Sequence, residues 1–203
     1  MEMDSNCGYV RYGRGYGRLS VAGASYGIGG TGARMGYAVV DSPFGLILAA
    51  ATGRGLAWLG VHESSAYLEA ELRGDYPRAE IRSGDGESAR IAREIVGFVM
   101  GDTAKLEVPI EIRATPFQAA VWSELCAIPR GATLSYGEIA RRIGRASASR
   151  AVGHANGSNP IAIVIPCHRA IGADGSLTGY RWGLEYKRRL LEHEGADAGR
   201  SGK

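Results

Sequence analysis

The stretch SYGEIARRIGRASASRAVGHANGSNPIAIVIPCHR, residues 135–169, decides the reading of this chain. Ser135 followed three residues later by Glu138 has the form of a capping box, so a helix is expected to start there and to stop at Gly144. SASRAVGHANGSN reads as a second short helix, and two short helices about three residues apart read as a helix-turn-helix. Residues 161–165 are then continuously apolar. That pattern is expected of a strand buried on both faces, which Pro166 would end. Cys167 and His168 follow at once, at the end of a core element, where a functional side chain is rigidly supported.

Working outward, TPFQAAVWSELCAIP has Thr115 as N-cap, Pro116 at the first helical position and Gln118 where a capping box needs it. Phe117, Val121, Leu125 and Ile128 recur at helical spacing, and Cys126 reads as a buried structural thiol. Upstream, YAVVDSPFGLILAAATGRGLAWLGV gives three apolar runs broken by DSPFG and TGRG, which predicts a small antiparallel sheet. SSAYLEAELRGDYP and ESARIAREIVGFVMGD read as helices, the first ending at Gly74, and LEVPIEI as a short extended piece. His62 and Glu63 stand alone near a strand end and read as surface positions. Residues 1–35 hold nine glycines and little apolar periodicity, so they read as a flexible tail, and residues 196–203 as a second one. The domains expected are therefore 36–113, an α/β unit, and 114–195, mostly helical.

The 203 residues contain no apolar run near the roughly 20 needed to span a bilayer. The opening MEMDSNCGYVRYGRGYGRL lacks the apolar stretch of a signal peptide, which points to the cytoplasm. Cys7, Cys126 and Cys167 are odd in number and far apart, against a disulfide framework or a Cys-x-x-Cys zinc site. Charge is uneven. Residues 36–110 carry 11 acids and 7 bases, whereas 111–203 carry 8 acids and 13 bases, so the C-terminal half is the candidate for an anionic partner. Residues 141–150 hold four arginines and no acid, beside a helix rich in Ser, Ala and Gly. Small residues allow close approach to a nucleic-acid backbone and arginines neutralise phosphate; a tight helix pair with a solvated basic face fits the same pattern.

A thiol gains nucleophilicity with its thiolate fraction, and an adjacent histidine is one way to raise it. If residues 167 and 168 were extended, however, their side chains would face opposite ways, and a bridging water or a sharp turn would be needed. A buried inert cysteine beside a hydrogen-bonded histidine is the alternative. A cysteine hydrolase finds little support, because no oxyanion-hole motif accompanies the pair.

IPCHR, preceded by RAVGHANGSNP and followed by GADGSLTGYRWGLEYKRRLLEHE, resembles the active-site region of the O6-alkylguanine-DNA alkyltransferases. The form is that of the alkyltransferase half of the bacterial adaptive-response (Ada) proteins. The similarity runs from Tyr37 to Glu194 and takes in TPFQAAVW and IPRGATLSYGEIA. The resemblance implies a ribonuclease-H-like small sheet with helices, followed by a winged-helix-like DNA-binding domain. It implies single-turnover transfer of an alkyl group from O6-alkylguanine, and from O4-alkylthymine, in double-stranded DNA to Cys167. No metal and no cofactor would take part. His168 would take the thiol proton through a water, Glu194 would orient His168, and Asn159 would tie the helix pair to the active-site turn. Tyr136 would donate to the damaged base and disturb a backbone phosphate. Arg150 would fill the space left by the extruded nucleotide, with Ser149, Ala151 and Gly153 alongside it against DNA. Tyr180, Arg181, Trp182, Pro166 and Val164 would line the substrate pocket, and GYRWG implies a narrow one that disfavours benzyl adducts. The protein would act as a monomer, in the cytoplasm and on the nucleoid when bound to DNA. The four-cysteine zinc domain of full Ada proteins has no counterpart in these residues. A regulator that uses the helix-turn-helix alone, with Cys167 incidental, is the competing function.

Overall fold

The computed structural model describes residues 8–13 and 16–196. In chain order the elements are β1 (Gly8–Gly13), β2 (Tyr16–Ser20), β3 (Arg34–Ser42), β4 (Gly45–Thr52) and β5 (Gly55–His62), then α1 (Ser65–Asp75), β6 (Glu80–Ser83), α2 (Gly86–Met100) and β7 (Leu106–Ile110). The second half holds α3 (Pro116–Ala127), β8 (Leu134–Ser135), α4 (Tyr136–Arg142), α5 (Ser149–Gly157), β9 (Ala170–Ile171) and α6 (Leu184–Glu194). Seven strands form one mixed sheet in the order β2-β1-β7-β5-β4-β3-β6. The β3–β4–β5 meander at its centre is the antiparallel unit that the three apolar runs predicted.

Each helix start has a local cause. Thr115 accepts from the Gln118 amide while the Gln118 side chain accepts from the Thr115 amide; Ser135 and Glu138 repeat the arrangement at α4. Ser64 and Asp85 cap α1 and α2. Gly101, at φ 86, lets the chain turn left-handed after α2, a conformation that costs a residue with a Cβ far more.

Two expectations are corrected. Residues 8–13 and 16–20 are not a loose tail: β1 pairs with β2 on one side and β7 on the other, which puts Val10 and Tyr12 in the core. Alternation is clear in GYVRYG once seen (Val10 and Tyr12 inward, Arg11 outward), but surrounding glycines masked it. Residues 21–35 are not loose either: Tyr26, Ala33 and Met35 are buried, Tyr26 OH donates to Glu111 O, and β3 already begins at Arg34. Ala196 is buried as well, and residues 1–7, 14–15 and 197–203 lie outside the described residues.

The second correction concerns residues 161–165, which are fully buried but form no strand. Ile161 makes one isolated parallel bridge with Leu59, through Leu59 N to Pro160 O and Ala162 N to Leu59 O. The chain then turns on itself. Val164 N donates to Ala162 O and Ile165 N to Ile161 O, with Ile163 at φ 69, a costly conformation for a β-branched residue that dense surroundings hold in place. An apolar run reports burial, and a buried turn satisfies it as well as a buried strand.

Tyr12 joins the corrected elements: its hydroxyl donates to Val164 O at 2.6 Å, inside the core. Tyr12→Phe would leave that carbonyl unpaired and is expected to lower unfolding free energy by about 1–2 kcal/mol in urea titrations. An unchanged midpoint would mean that the β1–β2 hairpin is not integral to the fold.

Candidate active site around Cys167

Cys167, His168 and Arg169 form one turn of 3-10 helix after Pro166, not an extended pair. Asn159, just beyond α5, organises the approach. Its amide nitrogen donates to Ile165 O at 2.8 Å and lies 3.1 Å from Cys167 Sγ, while its Oδ1 accepts from Ile161 N at 3.0 Å. One buried side chain thus closes residues 159–167 into a loop and points a donor at the thiol. The tight turn removes the extended geometry that would have set the two side chains on opposite faces of a strand.

Behind the thiol, His168 Nε2 lies 3.1 Å from Glu194 Oε1. An ionised carboxylate only accepts, so the proton sits on Nε2 and Nδ1 carries the lone pair. Nδ1 is buried and, among the described residues, has no hydrogen-bond partner. Glu194 also accepts from Arg169 twice, Nε to Oε2 at 2.9 Å and Nη2 to Oε1 at 2.8 Å, and Arg169 Nη1 donates to Ile128 O. Lys187, seven residues before Glu194 on α6, is fully buried and donates to Ala170 O and Thr178 O.

Burial dominates the protonation states. It raises the Cys167 thiol above its ordinary value, with Asn159 and Lys187 opposing, and it lowers the His168 imidazole, with Glu194 opposing. It pulls Lys187 down to about 8. Burial would raise the Glu194 carboxyl too, but His168 and Arg169 together hold it well below the usual carboxylate range. At neutral pH the site therefore rests as a neutral thiol and a neutral imidazole beside a charged carboxylate.

Cys167 opens onto a cavity of about 590 Å³ shared with Tyr136, Asn156, Thr178, Tyr180, Arg181 and Trp182. Tyr136 OH lies 3.4 Å from Thr178 O, and burial raises its phenol, which stays protonated. Of the residues expected to line the pocket, Tyr180, Arg181 and Trp182 do, as does Gly153 of α5. Pro166 and Val164 are buried in the turn behind it. Ser149, Arg150 and Ala151 lie exposed on the first turn of α5, with Arg141, Arg142 and Arg145 exposed nearby. α4 and α5 pack together but are joined by six residues, 143–148, not three.

Three further residues of the site, Asn156, Arg169 and Lys187, carry no role in the sequence pattern. Asn156 is buried with Oδ1 lacking a partner among the described residues. Arg169 stood in plain view within IPCHR. Lys187 had a signal: it lies on the same helix face as Leu190, Leu191 and Glu194, and a cation on an apolar face asks for a partner.

Residues 116–196 match the family model described as 6-O-methylguanine DNA methyltransferase, DNA binding domain. The chain is 40% identical over 162 residues to the methylated-DNA–protein-cysteine methyltransferase of Methanosarcina acetivorans, covering 80% of this chain and 99% of that one. The chain belongs to the methylated-DNA–protein-cysteine methyltransferase family. It is also 38% identical over 176 residues to the regulatory protein ada of Salmonella typhimurium, but spans only half of that relative's length. The methyltransferase fold is likewise seen in the crystal structure of Mycobacterium tuberculosis OGT in complex with DNA, with a TM-score of 0.67 and 41% identity over 79% of this chain and 92% of that one.

The charged cluster gives a signed pH dependence. His168 and Glu194 both have folded values below their ordinary 6.5 and 4.5. Each therefore contributes stability that is present above its ordinary value and lost as pH falls through the folded one. Urea titrations should show stability declining below pH 6.5 and again below pH 4.5. Glu194→Gln should cost about 3 kcal/mol at pH 7, from the uncompensated Arg169, and flatten the lower step. A wild-type curve level from pH 7 to 4 would refute this.

Proposed function

We propose that the protein repairs alkylated DNA by direct transfer, with Cys167 Sγ taking the alkyl group from O6 of guanine, or O4 of thymine, once per molecule. The observation that carries the reading is a cavity-facing thiol held by Asn159, backed by a histidine whose free nitrogen is buried and whose other nitrogen is fixed on Glu194. In a chain of this family, that arrangement fits an in-line displacement at carbon, which needs a soft nucleophile and somewhere to put its proton.

In the proposed step the S–C bond forms as the C–O6 bond breaks. The thiol proton passes through a bridging water to His168 Nδ1, the nitrogen left basic by the Nε2–Glu194 bond. The electron pair goes to the departing guanine, and the protonated Tyr136 phenol at the cavity wall supplies a hydrogen bond or proton to it. The product thioether has no built-in reversal.

The lesion must leave the base stack, at a cost of about a few kcal/mol. In this reading residues 114–195, winged-helix-like, bind DNA, and residues 36–113 form a ribonuclease-H-like partner unit. The exposed first turn of α5 enters the minor groove, where Ser149, Ala151 and Gly153 allow close approach and Arg150 occupies the vacated stack. The place of action is the cytoplasm, on the nucleoid. A regulator using α4 and α5 alone would leave unexplained why buried polar groups converge on one thiol.

Incubation with a duplex containing O6-methylguanine should add one methyl group to the intact protein, mapped to Cys167 and absent in Cys167→Ser. No mass change under excess substrate would end the enzyme reading. Glu194→Gln, assayed where circular dichroism shows it folded, should slow transfer at least about tenfold without changing duplex affinity. Arg150→Ala should slow transfer from duplex about tenfold while Cys167 reacts with a small thiol reagent at the wild-type rate. Equal losses in both assays would remove Arg150 from the DNA-side role.

A further inference from the structure

The segment Thr178–Trp182 forms one wall of the cavity, yet it has no helix or strand of its own. Two glycines with positive φ flank its aromatic tip: Gly179 at 32° and Gly183 at 98°. Between them, Arg181 reaches across to α1. Its Nε and Nη2 lie 3.1 and 2.8 Å from Glu71 Oε2, and its Nη1 lies 2.7 Å from Asp75 Oδ2. Glu71 and Asp75 are four residues apart, so one face of α1 presents both carboxylates to one guanidinium. Asp75 Oδ2 also accepts from Trp58 Nε1 at 2.8 Å.

The guanidinium therefore closes a stack of aromatic rings. Its carbon sits 5.1 Å from the Trp182 ring centre and 6.0 Å from that of Trp58, and the two indoles meet edge to face at 5.3 Å. Gly60 makes room for them: a Cβ there would fall 2.5 Å from Trp182 and 2.6 Å from Trp58. Trp182 is 4% exposed and lines the cavity beside Cys167. The position of this wall is set from outside the cavity, by two acids on α1.

We propose that Arg181, latched to Glu71 and Asp75, is a specificity-determining positioning residue that fixes Trp182 as the cavity wall and so limits the size of the alkyl group accepted. The proposal rests on alkyl transfer to Cys167. A methyl group reacts without moving Trp182. A benzyl group requires the 178–183 segment to swing on its glycines, and the latch opposes that movement. Pockets with rigid walls reject oversized groups, whereas loosening a wall relaxes the rejection without touching the reacting atoms.

The test uses the double variant Glu71→Gln/Asp75→Asn, which leaves every cavity-lining side chain in place. The amide introduced at position 75 retains an oxygen for Trp58. Transfer rates are measured by intact mass with duplexes carrying O6-methylguanine or O6-benzylguanine. The methyl rate should stay within about twofold of wild type, while the benzyl-to-methyl rate ratio rises about fivefold or more. Arg181→Lys, which keeps charge but loses the forked geometry, should shift the ratio the same way by less. An unchanged ratio, or a parallel change in both rates, overturns the latch as a determinant of specificity. If thermal melting shows the double variant unfolded at assay temperature, Glu71→Gln and Asp75→Asn singly are judged by the same ratio. Wild-type protein that takes methyl but shows no ratio change in the variants defeats the latch alone; wild-type protein that takes neither group defeats the transfer reading and the latch with it.

Discussion

A single buried carboxylate, Glu194, holds the working part of this molecule together. It accepts from His168 and, through two bonds, from Arg169, and Arg169 extends the connection to Ile128 O at the end of α3. The last turn of α6, the 3-10 turn and the end of α3 therefore share one anion. A buried carboxylate left without partners would be protonated or expelled, so the charge ties the three elements to an arrangement that keeps its partners in place. Gly131 shows how close the packing is: a Cβ there would meet Glu194 O at 2.9 Å.

The same constraint fixes the chemistry of the thiol. With Nε2 committed to Glu194, the imidazole has one tautomer and one orientation, and its basic nitrogen is the buried Nδ1. Asn159 supplies the opposite restraint by tying the end of α5 to Ile165 O and Cys167 Sγ. The turn between them is anchored on the sheet at Leu59 and on the hairpin through Tyr12. Cys167 is thus braced from both halves of the chain, and the cavity wall at Arg181 and Trp182 is braced from the first half as well.

Local signals were legible in the sequence, and tertiary ones were not. Both capping boxes, at Thr115 and Ser135, predicted the observed helix starts, because a cap is a contact three residues long. The β3–β4–β5 meander was readable for a similar reason: short turns join its strands. β1 was missed, since its pairing with β7 joins residues about a hundred positions apart and glycines dilute its alternation. The run at 161–165 was read as a strand because apolar content reports burial and not the path of the backbone. At the site, the motif brought His168 and Glu194 forward, and the structure adds the cation, Arg169, whose guanidinium balances the buried Glu194 carboxylate. The Arg181 link to Glu71 and Asp75 had no sequence signal, as no pattern within either segment marks the other.

The resting protonation states suit the single-use nucleophile proposed for Cys167. Burial keeps the Cys167 thiol protonated and the His168 imidazole neutral, so the pair carries no charge while it waits. A thiolate exposed at neutral pH would react with any available oxidant or electrophile, and each such event would consume a molecule. In the proposed step the proton leaves sulfur for His168 Nδ1, whose partner nitrogen is held on a carboxylate that stays ionised. In the proposed reaction, reactivity would then depend on geometry: a carbon placed in line with Sγ, inside a cavity whose wall is fixed from α1 and whose lining includes Tyr136 and Thr178. Placing both the thiol and its base in low dielectric weakens the free thiol as a nucleophile. In return, the proposed transfer of charge from sulfur to a departing base would begin and end inside the same enclosed site, where the dipoles of Asn159 and Tyr136 and the Lys187 ammonium would act on it with little screening.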